Sequence, residues 1–178
     1  MNKRKLLNIE LERLNPEQYK SLPGSGVAVV LDNIRSAHNV GSAFRSSDSF
    51  KVDKICLCGI SATPPSAEIH KTALGAEDSV DWEHFDDTLD AVMKLREEGY
   101  TIISVEQTVN SVKLDAFRAE PGKRYALIFG NEVSGVRQDV VDASDESLEI
   151  PQYGTKHSLN VSVSIGIVLW HIRLSMGL

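Results

Sequence analysis

Three apolar runs, VAVVL at 27–31, TIISV at 101–105 and ALIF at 126–129, constrain this chain more than any other feature. They do not alternate with polar residues, so each strand they form must be covered on both faces, as buried parallel strands are. Strand-like segments at 27–31, 54–58, 101–105, 125–129 and 148–150 alternate with helical stretches near 36–50, 66–74, 86–98, 135–142 and 160–175. The pattern predicts an α/β fold, a mainly parallel sheet with helices on both faces. With 178 residues, 42% of them hydrophobic, one domain is expected to bury about two thirds of its unfolded surface. The LPGSG break separates a short helical N-terminal extension, 1–25, from a domain spanning 26–178.

The formal net charge of −6 argues superficially against a nucleic-acid partner. Its distribution changes that reading. Glu77, Asp78, Asp81, Glu83, Asp86, Asp87 and Asp90 crowd seven acids into fourteen residues without a lysine or arginine. Without them, 18 acidic residues face 19 basic ones, so a basic patch elsewhere is compatible with the total. No apolar run approaches the ~20 residues that span a bilayer. The basic N-terminus lacks the apolar core of a signal peptide, so a cytoplasmic protein with no membrane association is expected. Cys56 and Cys58 read as small buried hydrophobes on opposite faces of one strand, neither a disulfide nor a metal pair. The five histidines show no ligand spacing, and no metal is expected. GNEVSGVR has the glycine spacing of a phosphate loop, but Val136-Arg137 stands where lysine and a hydroxyl residue are required. No G-x-G-x-x-G follows the first strand either.

Ligands of such sheets bind beyond the carboxyl ends of the strands. Three loops in that position hold the polar residues that solubility does not explain: DNIRSAHNVGSAFR, GNEVSG and PQYGTKHSLN. In the first, Gly41 lies four residues before Arg45. A glycine inside a helix costs roughly 1 kcal/mol against alanine, which implies that something approaches closely. Arg45 either pairs with Asp48 on the surface or presents its planar fork to a phosphate or carboxylate. In the second loop, Glu132 sits between Gly130 and Gly135, where a plain reading is a glutamate at a helix N-terminus. In the third, Ser158 or Asn160 is placed to cap a strongly apolar helix. Ser158, Ser162 and Gly166 give that helix a face of small residues against which another backbone could pack.

Taken in order, these loops resemble the motifs of the TrmH/SpoU branch of the SPOUT RNA methyltransferases. N-x-G-x-x-x-R runs from Asn39 to Arg45, G-x-E-x-x-G is Gly130, Glu132 and Gly135, and I-P…S-L-N-V-S is Ile150-Pro151 with 158–162. HKTALGAED from His70 is similar to the family's middle segment, and the resemblance spans about 26–175. It implies a C-terminal trefoil knot holding S-adenosyl-L-methionine, a homodimer with sites completed across its interface, and methyl transfer to a ribose 2′-hydroxyl of tRNA or rRNA. It implies Arg45 as the catalytic arginine, Asn39 ordering its loop, Glu132 supporting the site, and Ser158 and Asn160 lining it. Val105, Glu106, Gln107, Gly130, Ile150, Ser158 and Leu159 would then hold the cofactor, largely through backbone groups. A non-catalytic RNA-binding or cofactor-binding protein that keeps the knot is the alternative, and base methylation by the TrmD-like branch ranks below it. The cluster Lys3-Arg4-Lys5 could touch phosphate or be a solvated terminus.

Overall fold

The computed structural model describes residues 3–11 and 13–177. Parts of the expected extension, at Met1, Asn2 and Glu12, and the last residue of the expected domain, Leu178, lie outside them. One 3-10 turn, Asn8–Leu11, precedes α1, Pro16–Ser21. Asn15 and Gln18 form a capping box there, each side chain accepting from the other's backbone N–H.

The sheet has seven strands: β1 (Val27–Asp32), β2 (Lys54–Cys58), β3 (Trp82–Phe85), β4 (Tyr100–Val105), β5 (Val112–Lys113), β6 (Arg124–Phe129) and β7 (Glu146–Glu149). Their order is β3-β2-β1-β6-β4-β7-β5, and every pairing between them is parallel. The helices are α2 (Ala37–Ser49), α3 (Ala67–Ala73), α4 (Ala76–Ser79), α5 (Thr88–Glu97), α6 (Gln138–Asp142) and α7 (Val161–Ser175).

Alternate side chains of the central strands feed two cores. Val27, Val29 and Leu31 join Phe44 of α2, Ile69 of α3 and Ile165 of α7 on one face. Ala28 and Val30 join Ala91 and Leu95 of α5 and Val140 of α6 on the other. Helices therefore cover both faces, as the uninterrupted apolar runs require. Phe44 and Phe129 are fully buried, worth about 1.5–3 kcal/mol each.

Two strands escape the sequence pattern. β3 is an edge strand inside the acidic segment, with alternately exposed and half-buried residues. β5 is two residues long and is held by register to β7, where Ser111 Oγ donates to Glu149 and Lys113 pairs with it. Neither carries enough apolar signal to stand out locally. Cys56 and Cys58 are buried free thiols, but they share one face, packing together with α5. Residues two apart in a strand point the same way, so the opposite-face expectation is corrected. Burial pushes the Cys56 thiol up to about 12, leaving it inert at neutral pH.

Gly41 is explained by α3. A Cβ there would overlap the Ile69 carbonyl oxygen and the Thr72 hydroxyl, whose Oγ1 donates to the His38 carbonyl at 3.0 Å. The close approach inferred from sequence is thus helix on helix within the chain. Gly166 behaves differently: a Cβ on it would meet nothing within 4 Å, so no other backbone among the described residues packs against the helix there. Gly41→Ala gains helix propensity but must push α2 off α3, and overpacking costs about 1–3 kcal/mol. The urea or thermal midpoint of the variant is expected to fall; a midpoint equal to or above wild type would contradict this packing.

Candidate active site

β1 is the switch point of the sheet. The chain leaves it outward to β2 and β3, then returns on its other side through β4 and β6. A crevice opens at the carboxyl ends of the strands, where ligands of open α/β sheets bind. The cleft measures about 560 Å³, within the range of small-molecule sites. Its floor is Val105 from β4, Phe129 from β6 and Leu148 from β7. Glu106, Gln107, Gly130, Ile150, Ser158 and Leu159 line it as well, together with Glu132 and Asn160. Asn39 and Arg45 do not.

Asn39 reaches the cleft through its neighbours. Its Nδ2 donates to Glu132 Oε1 at 2.9 Å, and its Oδ1 accepts from Asn160 Nδ2 at 3.2 Å. One amide therefore joins all three loops. Glu132 Oε2 also accepts from the Arg35 backbone N–H at 2.9 Å, and Oε1 from that of Ser36 at 3.1 Å. Ser36 caps α2, accepting from the Asn39 N–H, so the carboxylate sits at that helix's positive end. Desolvation works to raise the Glu132 pKa. The hydrogen bonds from Arg35 and Asn39, with those from its own backbone and Ser36, win and hold it below the usual carboxylate range. With those donors engaged, Glu132 is an anchor and a poor proton acceptor. Asn160 caps α7, its Oδ1 accepting from the Ser162 N–H at 2.9 Å and the Ser162 hydroxyl at 2.6 Å.

The 130–136 loop is closed by backbone. Asn131 and Gly135 exchange N–H···O bonds of 3.0 and 2.9 Å, and Gly135 takes φ +70. A Cβ on Gly130 would overlap the backbone of Gly135 and Val136, so only glycine fits. Glu106 Oε2 accepts from the Val136 N–H at 3.0 Å, tying β4 to this loop. Gln107 Nε2 donates to the His157 carbonyl at 2.7 Å, tying β4 to the third loop.

Two residues that sequence reasoning passed over organise the region. Asp32, buried at the end of β1, accepts from the Thr88 hydroxyl at 2.6 Å, the Asn33 amide at 2.9 Å and the Arg137 N–H at 2.9 Å. Asn131 Nδ2 donates to the Asn33 carbonyl at 2.6 Å. An acid closing the apolar run VAVVLD was the available signal for the first; the second had none beyond its place between two glycines.

Arg45 is exposed on α2, and its guanidinium has no hydrogen-bond or ion-pair partner among the described residues. The surface pair with Asp48 is not formed. Ser158 is exposed at the mouth of the cleft. Among the described residues no group of histidine, cysteine and carboxylate side chains could hold a metal ion. Nor is any helix long and apolar enough to cross a membrane.

A polar cleft walled by glycine backbone at the carboxyl edge of a parallel sheet defines a ligand-binding α/β domain. The chain belongs to the SpoU rRNA Methylase family, whose family model matches residues 26–170. It is 32% identical over 155 residues to the 23S rRNA (guanosine-2'-O-)-methyltransferase RlmB of Nitrosomonas europaea, covering 85% of this chain and 57% of that protein. It is 31% identical over 147 residues to the tRNA (guanosine(18)-2'-O)-methyltransferase of Aquifex aeolicus, covering 82% and 67%. The AdoMet bound rRNA methyltransferase from Sinorhizobium meliloti superposes with a TM-score of 0.78 at 25% identity, over 85% of this chain and 57% of that one. The A. aeolicus TrmH/SpoU tRNA modifying enzyme gives 0.76 at 25%, over 85% and 76%. The chain spans less than two thirds of the length of the RlmB relatives it matches.

The clasp around Glu132 has a direct readout. Glu132→Gln turns an amide N–H toward the Arg35 and Ser36 donors, so protection of those two amides in hydrogen exchange should drop at neutral pH. A carboxylate with a lowered pKa contributes above its unfolded value (about 4.3) and is lost as pH falls through its folded one. In the wild type, protection corrected for intrinsic exchange should therefore persist to below the ordinary carboxylate range. Unchanged protection in the variant would refute the clasp.

Proposed function

We propose that the protein is an S-adenosyl-L-methionine-dependent RNA methyltransferase that modifies a ribose 2′-hydroxyl of tRNA or rRNA. The observation that carries this is the Asn39 amide joining Glu132 to Asn160, which brings the family's three motifs to one cleft. Family membership and the printed activities of the ribosomal and transfer RNA relatives support it.

The cleft fits the cofactor. Its volume suits a nucleoside-sized molecule, and Gly130 leaves backbone where a side chain would intrude. Val105, Glu106, Gln107, Gly130, Ile150, Ser158 and Leu159 would hold it, and it would supply an electrophilic methyl group on a sulfonium. Displacement of that kind depends on alignment, so positioning by the rigid loops does much of the work. Arg45 has no partner among the described residues to give up, and its planar fork suits an anion, so it acts as a clamp on the RNA phosphate and stabilises the developing alkoxide. Asn39 and Glu132 set the start of α2, which carries Arg45. Ser158 and Asn160 face the reacting ribose.

In this reading the C-terminal chain threads a trefoil knot. In support, β7 lies between β4 and β5, and α7 meets the segment between β5 and β6, where His171 Nε2 donates to the Phe117 carbonyl at 2.8 Å. The protein also acts as a homodimer. Val163, Ile167, Trp170 and Leu174 leave one face of α7 apolar and exposed, with Gly166 open among them.

Labelled cofactor with total RNA should yield a single 2′-O-methylated nucleotide on mapping. No binding of S-adenosylhomocysteine at millimolar concentration in calorimetry would overturn the proposal. Arg45→Lys should lower turnover roughly 10²-fold while leaving S-adenosylhomocysteine affinity intact. Retained turnover would refute the bidentate clamp.

A further inference from the structure

The loop between β7 and α7 holds a side chain that neither the fold nor the proposed chemistry uses. Tyr153 is 93% exposed, and its ring makes no aromatic or cation contact among the described residues. The loop that carries it is tied down at His157. Gln107 Nε2 donates to the His157 carbonyl at 2.7 Å, and Gln152 Nε2 approaches the same oxygen at 3.5 Å. Gln152 and His157, on either side of Tyr153, both line the cleft, so Tyr153 belongs to a loop that borders it.

The surroundings favour an aromatic, anionic partner. Val133 and Leu159 line the same cleft while 76% and 40% exposed, an apolar rim around a polar interior. Lys156 lies in the same loop, and Arg35 lies where its backbone meets Glu132. Neither cation has a carboxylate partner among the described residues, so both are free to meet an anion. An exposed tyrosine in one loop with an unpaired lysine, bordering a cleft with exposed aliphatic groups, matches a surface that stacks a base and holds its phosphates.

We infer that Tyr153 is a stacking platform for an unstacked nucleobase beside the reacting ribose, so that the substrate is a single-stranded or loop nucleotide rather than one within a duplex. This rests on the proposed RNA chemistry of the same cleft. In a duplex each base face is covered by its neighbours, and the ring would have nothing to cover. Lys156 meets the adjoining phosphate.

The test uses the full chain at one fixed salt concentration, because phosphate contacts make every affinity salt-dependent. Fluorescence anisotropy measures binding of a labelled mixed-sequence 12-nucleotide RNA, single-stranded and annealed to its complement. The wild type should prefer the single strand. Tyr153→Phe should keep that preference, because stacking needs the ring and not the hydroxyl. Tyr153→Leu should lose about tenfold or more on the single strand, with little change on the duplex. Its S-adenosylhomocysteine affinity and unfolding midpoint should stay at wild-type values. A Leu variant that binds single strand as wild type does, or weakens equally on both RNAs, would overturn the inference. Failure of the wild type to bind S-adenosylhomocysteine or methylate RNA would overturn the proposed function instead, a result independent of Tyr153.

Discussion

The carboxylate of Glu132 at the N-terminus of α2 is the contact on which the rest of the site depends. It accepts backbone donors that a helix start cannot satisfy internally, and the Asn39 amide that reaches on to Asn160. These partners lie more than ninety positions away in sequence, so the contact exists only after the sheet has assembled. A charge facing several convergent donors is also hard to replace: an apolar side chain would strand those N–H groups, and an amide would turn a donor toward them.

The sheet makes such a contact available. β1 and β6 are neighbours in register, so the loops leaving them, which carry Asn39 and Glu132, emerge side by side. Buried Asp32 fastens the two exits by accepting from Asn33 on one and Arg137 on the other. Glycine does the complementary work by absence, at Gly130 where a loop folds on itself and at Gly41 where α2 meets α3. The site is thus built from rigid elements and short loops, which suits chemistry that depends on alignment.

Charge follows the same division. The acidic segment lies along α4, the β3 edge and the start of α5, at the far side of the sheet from β7. Several of its acids have local roles: Glu83 pairs with Lys94, and Asp87 caps α5 and binds Arg137. Arg35, Arg45 and Lys156, on the first and third loops and on α2, are exposed cations that pair with no carboxylate among the described residues. A net charge of −6 therefore says little about what approaches that edge.

Much of this was legible along the chain. The apolar runs specify parallel strands with two covered faces, because nothing else buries such segments, and the strand–loop alternation places the three polar loops at one edge. Glu132 was readable as a helix-terminal glutamate, and so it is, but of α2 and not of the helix that follows it. Gly41 was readable as a point of close approach, but the neighbour is α3. β3 and β5 were invisible, since a short edge strand takes its identity from its partner's register. What the sequence by itself determined was the architecture and the kinds of groups brought to one edge, because local apolar pattern and residue chemistry suffice for those. Which helix Glu132 anchors, which backbone Gly41 admits and which cations stay unpaired were decided only by the tertiary structure, because each depends on groups that meet through long-range packing.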